Sequence, residues 1–390
     1  MKNSYKRIII LVLDSVGCGI QGDYKKYQSR KSNTLENIYA SEKKFSLPNL
    51  EQLGLLGAIN NTLTSKRGIS GKMQEQTSGN DTFAGIWEMV GVVFSERFRS
   101  KKTGFSKQLL KRIENKLGIT MVGNKYISGF KVLDKFYDEH KIRNAPILYF
   151  ADDGVILLAA HENVIPAKKL NAYGKKLSTA LMNHNISRVI TRPFTGKKGN
   201  FIRTKNRKDY IAFANLEKKS ILPLLRIKKI HLITTEHLFN ILGHPQNTRY
   251  TKGNYTNKNL IPIIINYLNE AKRKAVMLFC LQDFDMYGHK KDIKGYAQKL
   301  REFDALLPKI LKRLKHNDLL FITADHGCDP TIDIRGHTRE YVPLLVYSPQ
   351  LKHLTTQLGT RKSFADIAQT ICHNFQLKQI KKGEVIYEVF

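Results

Sequence analysis

Three stretches of the chain are continuously apolar, and each runs into an acid. Residues 7–13 end in Ile8-Ile9-Ile10-Leu11-Val12-Leu13 and continue as Asp14-Ser15-Val16-Gly17-Cys18-Gly19. Residues 275–281 run into Gln282-Asp283-Phe284-Asp285, and residues 318–323 into Ala324-Asp325-His326-Gly327. Unbroken apolar runs of this length mark strands buried on both faces of a parallel sheet. The carboxyl ends of such strands are where open α/β sheets bind ligands. Helical periodicity lies between the runs, most clearly over about 293–314, where Leu300, Phe303, Leu306, Leu307 and Ile310 recur at helix spacing. This alternation predicts an α/β fold with a mostly parallel sheet flanked by helices. From about Glu96 to Ile221 the pattern changes: no strand there ends in Asp-His or Asp-Ser-x-Gly, and basic residues are dense. That stretch is read as an inserted, smaller α+β cap domain over 96–221, with 189–195 and 200–207 in its sheet. Core segments at 1–95 and 222–390 flank it.

Composition adds little to the fold but excludes some functions. Of 390 residues, 42% are hydrophobic and 25% charged, which is globular usage. The apolar run at 8–13 is too short for a signal peptide or a membrane span. The four cysteines, Cys18, Cys280, Cys328 and Cys372, have neither disulfide-framework nor zinc-knuckle spacing. A cytoplasmic, reducing location and no membrane contact are expected. Against 33 Asp plus Glu stand 65 Lys plus Arg, a formal net charge of +32. The basic residues come in scattered pairs such as Lys43-Lys44 and Lys228-Lys229, with no interleaved aromatic stripe. Nucleic acid is therefore not expected as a partner, and a monomer is.

The chemistry concentrates in Thr323-Ala324-Asp325-His326-Gly327-Cys328-Asp329-Pro330-Thr331 and the following Gly336-His337-Thr338-Arg339-Glu340. Alone, an Asp-His-Gly can serve as a turn or helix cap. With Asp14, Asp283 or Asp285, His289 and His337, the chain holds enough carboxylates and imidazoles for two divalent ions. Mixed oxygen and nitrogen donors suit Mn²⁺ or Zn²⁺ better than Ca²⁺. Two ions roughly 4 Å apart can clamp the entering and leaving oxygens of a phosphoryl transfer. A nucleophile is offered by Thr82 in Thr77-Ser78-Gly79-Asn80-Asp81-Thr82-Phe83-Ala84-Gly85-Ile86-Trp87-Glu88-Met89, where small polar residues precede a helical pattern. Near a helix N-terminus, free N–H groups and the dipole stabilise a phosphate, although a threonine there also serves as a plain N-cap.

Together these segments resemble the phosphopentomutases of the alkaline-phosphatase superfamily, nearly end to end. The resemblance is carried by 12–19, by Asn80-Asp81-Thr82 with Trp87-Glu88, by Ala159-Ala160-His161-Glu162 and Arg192-Pro193-Phe194, by 199–210, by Asp283-Phe284-Asp285 and by 323–341. It implies an alkaline-phosphatase-like core and a phosphothreonine at Thr82. It places Asp14, Thr82, Asp325 and His326 around one metal, and Asp285, His289 and His337 around the other. It also implies two Mn²⁺ ions, a sugar bisphosphate primer and a pentose phosphate substrate. The cap would close over the sugar, with Asp152 at the ribose hydroxyls and Arg203 and Arg207 on the distal phosphate.

Two segments depart from the family pattern. Asp283-Phe284-Asp285-Met286-Tyr287-Gly288-His289 is one residue shorter between the second acid and the histidine. A helical turn there keeps Asp285 and His289 on one face; an extended one would draw in Asp283. The family's Ala-Asp-Ser-Val is replaced by Ala151-Asp152-Asp153-Gly154-Val155. Cys328 and Trp87 are read as packing residues and His161 as a hydrogen-bonded structural histidine. The rival functions are a phosphomonoesterase or phosphoglycerate-mutase-like enzyme of the same superfamily, and a basic binding protein with an impaired metal site.

Overall fold

The structure, a computed structural model, describes residues 4–390 except Arg99, Ser128, Asp153, Asn183, Ala214, Asn254, Arg335 and Lys352. Asp153, quoted above, thus lies outside the described residues. The chain divides into two compact units, Met1–Ser95 with Glu217–Phe239 and His244–Phe390, and Glu96–Leu216 with Asn240–Gly243.

In the first unit an eight-stranded sheet has Arg7–Leu13 near its centre, between Ala275–Leu281 and Asp318–Thr323. These are the three runs expected from the sequence, and all three are buried throughout. Every pairing in the sheet is parallel except the two made by Val342–Tyr347. Register fixes what this arrangement does for a site. Leu13 pairs with Leu281, and Val12 with Thr323, so the three carboxyl ends finish level at one edge. At the opposite edge the buried Arg7 Nε donates to Asp318 Oδ1 at 2.6 Å, neutralising both charges inside the core.

The helix expected over 293–314 runs Ile293–Leu311. Asp292 caps it by accepting from Gly295 N, and Tyr296, Leu300, Phe303, Leu307 and Ile310 form its buried face. Each such side chain contributes about 1.5–3 kcal/mol of burial. Among the described residues no helix is long and apolar enough to cross a membrane.

The second unit is an α+β layer. Its sheet runs Val122–Tyr126, Ile147–Phe150, Val155–His161, Arg188–Lys197 and Asn200–Arg203, and Lys208–Ile211 also pairs with Arg188–Lys197. Alternate residues serve opposite faces: Leu148 and Phe150 pack with Leu170 and Leu177, while Ile147 and Tyr149 pack with Val132 and Leu133. The stretch 200–207 is not one strand. It breaks after Arg203, where Thr204 N donates to Pro193 O, and pairing resumes at Lys208.

Candidate active site

The nucleophile turn is set by which residue caps the helix Thr82–Met89. Asp81, in extended backbone, is the N-cap, and its Oδ1 accepts from Ala84 N at 3.2 Å. Thr82 is thereby the first helical residue, and its hydroxyl is not spent on capping. Its Oγ1 stands 3.2 Å from His326 Nε2. Trp87 is fully buried in the core. One turn along, a Cβ on Gly85 would sit 2.4 Å from the Asp325 carbonyl oxygen and 2.9 Å from its Cβ. Only a glycine lets this helix press against the Asp325 strand end. Gly85→Ala is expected to cost about 1–3 kcal/mol of stability, read as a fall in thermal midpoint, and to lower activity by shifting Asp325.

Three acids and three histidines converge at the level strand ends. His326 Nε2 lies 3.4 Å from Asp14 Oδ1 and 3.6 Å from Asp325 Oδ2. The segment Asp283–His289 is helical, so Asp285 and His289 share a face, with Asp285 Oδ2 3.3 Å from His289 Nε2. Asp285 Oδ1 lies 3.5 Å from His337 Nε2, and the two histidine Nε2 atoms are 3.0 Å apart. Asp283 turns elsewhere: its Oδ2 accepts from Asn257 N at 2.9 Å. Of the two acids left open by spacing, the structure therefore brings Asp285 to the cluster. Donor atoms of Asp14, Asp325 and His326 lie within 4.8 Å of one another, as do those of Asp285, His326 and His337, and those of Asp285, His289 and Cys328.

The turn after Asp14 is held tightly. Ser15 sits at φ 70, its N–H donates to Asp325 Oδ1 at 3.0 Å, and its carbonyl accepts from Tyr296 Oη at 2.9 Å and Cys328 N at 3.1 Å. A non-glycine residue in the left-handed region is tolerated where surrounding bonds over-determine it, as here.

Electrostatics separates the groups. Burial, then the charges of Asp325 and Asp285, hold the Asp14 carboxyl well above its ordinary value. Burial pushes Asp325 up to about 6, with Ser15 N–H opposing and Asp285 adding to the rise. Burial also depresses His337 to about 4, helped by His326, and it lowers His326. For Asp285, burial is overcome by the His289 hydrogen bond and by His337 and His326, which hold it well below the carboxylate range. Both histidine shifts favour the neutral imidazole of His326 and His337, the form that ligates metal. Asp14 Oδ1, Asp325 Oδ2 and Asp285 Oδ1 are buried with no hydrogen-bond partner. Buried polar atoms are nearly always satisfied, so three orphaned carboxylate oxygens facing neutral imidazoles fit divalent cations. Burial raises the Cys328 thiol, and a Cβ on Gly288 would meet its Sγ at 2.8 Å, which suits a packing role.

The remaining expected residues lie in the second unit. Asp152 Oδ1 accepts from Ser100 Oγ and Tyr126 Oη, both at 2.8 Å. Arg203 donates to Tyr149 Oη and Gly129 O, each at 3.2 Å, and lies over the Phe130 ring at 5.0 Å. Arg207 gives its fork to Asp209 through two bonds of 2.7 Å. His161 is hydrogen-bonded on both ring nitrogens, to Gly196 O and from Asn163 N. Sequence reasoning counted Arg192 in the resemblance but gave it no role at the site. Its Nε is buried without a partner, and burial with the charges of Arg207 and Arg203 lowers its pKa to about 10. An arginine crowded by two others is eased by a bound anion. The signal was a lone charge amid Val189-Ile190-Thr191 and Pro193-Phe194.

Residues 6–379 match the model of the metalloenzyme superfamily. The phosphopentomutase of Acetivibrio thermocellus is 39% identical over 97% of this chain and 98% of its own length. That of Carboxydothermus hydrogenoformans is 40% identical over 96% of both chains. Among solved structures, the PH0037 protein of Pyrococcus horikoshii aligns over 98% of this chain and 100% of its own, with a TM-score of 0.50 and 13% identity. The phosphoglycerate mutase of Leishmania mexicana aligns over 99% and 97%, with a TM-score of 0.50 and 11% identity. At such identities these two structures speak for the alkaline-phosphatase-like fold alone.

Proposed function

The chain belongs to the phosphopentomutases of the metalloenzyme superfamily, and from that membership we propose that it passes phosphate between C1 and C5 of ribose or 2-deoxyribose through a phosphothreonine at Thr82. It is an isomerase acting on a small sugar phosphate. The observation that carries the Thr82 reading is its hydroxyl, free of capping duty, 3.2 Å from His326 Nε2 at a helix N-terminus.

Asp14, Asp325 and His326 would hold one divalent ion and Asp285, His289 and His337 the other, with Mn²⁺ the ion of choice. When bound, the ions supply Lewis-acid stabilisation of phosphoryl charge and lower the pKa of a nearby hydroxyl. The chain's own contribution is placement. Asp81 orients the first helical turn, whose N–H groups and dipole favour a phosphate on Thr82. Arg192, Arg203 and Arg207 form the phosphate-binding set of the second unit, and Asp152 its acceptor for sugar hydroxyls. Asp209 keeps Arg207 charged and fixed in orientation. Thr82 would receive its phosphate from a sugar bisphosphate, donate it to one end of a pentose monophosphate, and take back the phosphate at the other end. A monomeric, cytoplasmic enzyme without nucleic-acid partners is the setting proposed.

The test is conversion of ribose 1-phosphate with Mn²⁺ and a sugar bisphosphate primer. Ribose 5-phosphate as product supports the reading; free phosphate alone would make the chain a phosphomonoesterase and sink it. Chelation with EDTA is expected to abolish turnover and Mn²⁺ to restore it. The pH dependence has a definite sign. Below about pH 6 Asp325 carries a proton that an ion must displace, so Mn²⁺ affinity should fall as pH drops through that value, by up to about tenfold per unit for each proton released. Calorimetric titration between pH 5 and 8 (roughly the range of His and perturbed-acid titration) reads this directly.

A further inference from the structure

We infer that Arg339 is a positioning residue for phosphoryl transfer: it fixes the turn that carries Thr82 against the segment that carries His337, without itself touching the reacting groups. The inference rests on Thr82 being the phosphate acceptor.

Between the strand Gly68–Met73 and the helix at Thr82 the chain has no strand neighbour to satisfy its carbonyls. Arg339, 2% exposed, satisfies them. Its Nη1 donates to Thr77 O at 2.8 Å, Gly79 O at 2.5 Å and Glu75 Oε2 at 2.6 Å, and its Nη2 donates to Glu75 O at 2.7 Å. Carbonyls of alternate residues, 75, 77 and 79, thus converge on one guanidinium. The far side is clamped by Asp23, at 3.1 Å from both Nε and Nη2, and Cζ lies over the Tyr27 ring, 4.6 Å from its centroid. Buried carbonyls require donors, and only an arginine offers five N–H groups in a planar fork.

The N–H side of the same segment is held differently. Glu88, from the helix itself, accepts from Gln76 N and from Thr77 N at 2.6 Å. Glu88 therefore ties the segment to its own helix, whereas Arg339 ties it to the chain around His337. A second tie of the latter kind is Asn80 Nδ2 donating to His337 O at 2.8 Å. Among the described residues, none of the seven contacts of the Arg339 side chain involves Asp14, Asp285, His289, Asp325, His326 or His337. Loosening Arg339 should therefore move the nucleophile and leave the metal ligands in place. Misplacement by about 1 Å can cost on the order of 100-fold in rate.

The test uses full-length, Mn²⁺-loaded protein and Arg339→Lys, which keeps a charge beside Glu75 and Asp23 but loses the fork. Thr82 phosphorylation by ribose 1,5-bisphosphate is followed by quenched intact-mass measurement, with kcat and KM for ribose 1-phosphate and Mn²⁺ binding by calorimetry. The expected result is a fall of about 10- to 100-fold in phosphorylation rate and kcat, with KM and Mn²⁺ affinity within about threefold of wild type. Should the lysine variant not fold, the charge-balanced pair Arg339→Gln with Glu75→Gln carries the same expectation. An unchanged kcat, or Mn²⁺ binding lost in step with kcat, overturns the inference. If wild type is phosphorylated on Thr82 and the variant equally fast, only the role of Arg339 falls; if wild type takes no phosphate on Thr82, the reading of the nucleophile falls and the inference with it.

Discussion

Thr82→Ala should abolish interconversion of ribose 1-phosphate and ribose 5-phosphate, by more than about 10⁴-fold in kcat, because it removes the hydroxyl that stands 3.2 Å from His326 Nε2 and is proposed to accept the phosphate. The Ala84 N–H remains capped by Asp81, so the helix start survives the loss of one methyl and one hydroxyl. The variant should melt close to wild type and still bind Mn²⁺. Activity within tenfold of wild type in the coupled assay (a difference of about 1.4 kcal/mol) would remove Thr82 from the mechanism.

Asp325→Asn should move function and stability in opposite directions. The amide keeps an acceptor for Ser15 N–H but loses the charge that an ion needs, so Mn²⁺ affinity should drop at least about 100-fold and turnover with it. In metal-free protein the same change relieves a cost. Asp325 is raised from 3.8 to about 6 by burial, partly opposed by Ser15 N–H, with Asp285 adding to the rise. A raised acid stabilises the fold fully below its unfolded pKa, and that contribution is lost as pH rises through the folded value. At pH 7 wild type bears the whole penalty, on the order of 1–3 kcal/mol, and the variant bears none. Metal-free Asp325→Asn should therefore melt above wild type at pH 7 and converge on it near pH 4 (about the model-peptide value). A lower midpoint at pH 7 would refute this account of the cluster.

The sheet edge was readable because a strand buried on both faces has one sequence signature, and an acid directly after it has one plausible place to be. Asp14, Asp325 and one of the pair Asp283 and Asp285 follow from that. Spacing alone could not choose between Asp283 and Asp285, since the choice depends on whether the segment winds into a helix and on Asn257 being present to engage the loser. Nor could it tell whether Thr82 is a plain N-cap, because the extended backbone at Asp81 decides and gives that place to Asp81. In the second unit, the crowding of Arg192 by Arg203 and Arg207 arises from strands pairing side by side, which one-dimensional patterns do not encode. The end of the helix at Leu311 rather than 314 has the same origin, because Leu314 stays largely buried after the helix has stopped.

The central strand Arg7–Leu13 has a consequence for synthesis. It is made well before both its neighbours, Ala275–Leu281 and Asp318–Thr323, which lie more than 250 residues further along. At translation speeds of about 5–20 residues per second, the apolar run at 8–13 waits on the order of tens of seconds for partners. The second unit, whose strands pair among themselves between 122 and 211, can form during that wait. The ion proposed for Asp285, His289 and His337 cannot find all its ligands earlier, because His337 leaves the ribosome after both neighbouring strands have been made. Capture of that ion would thus come late in synthesis, and a nascent chain truncated before His337 would hold an incomplete second site.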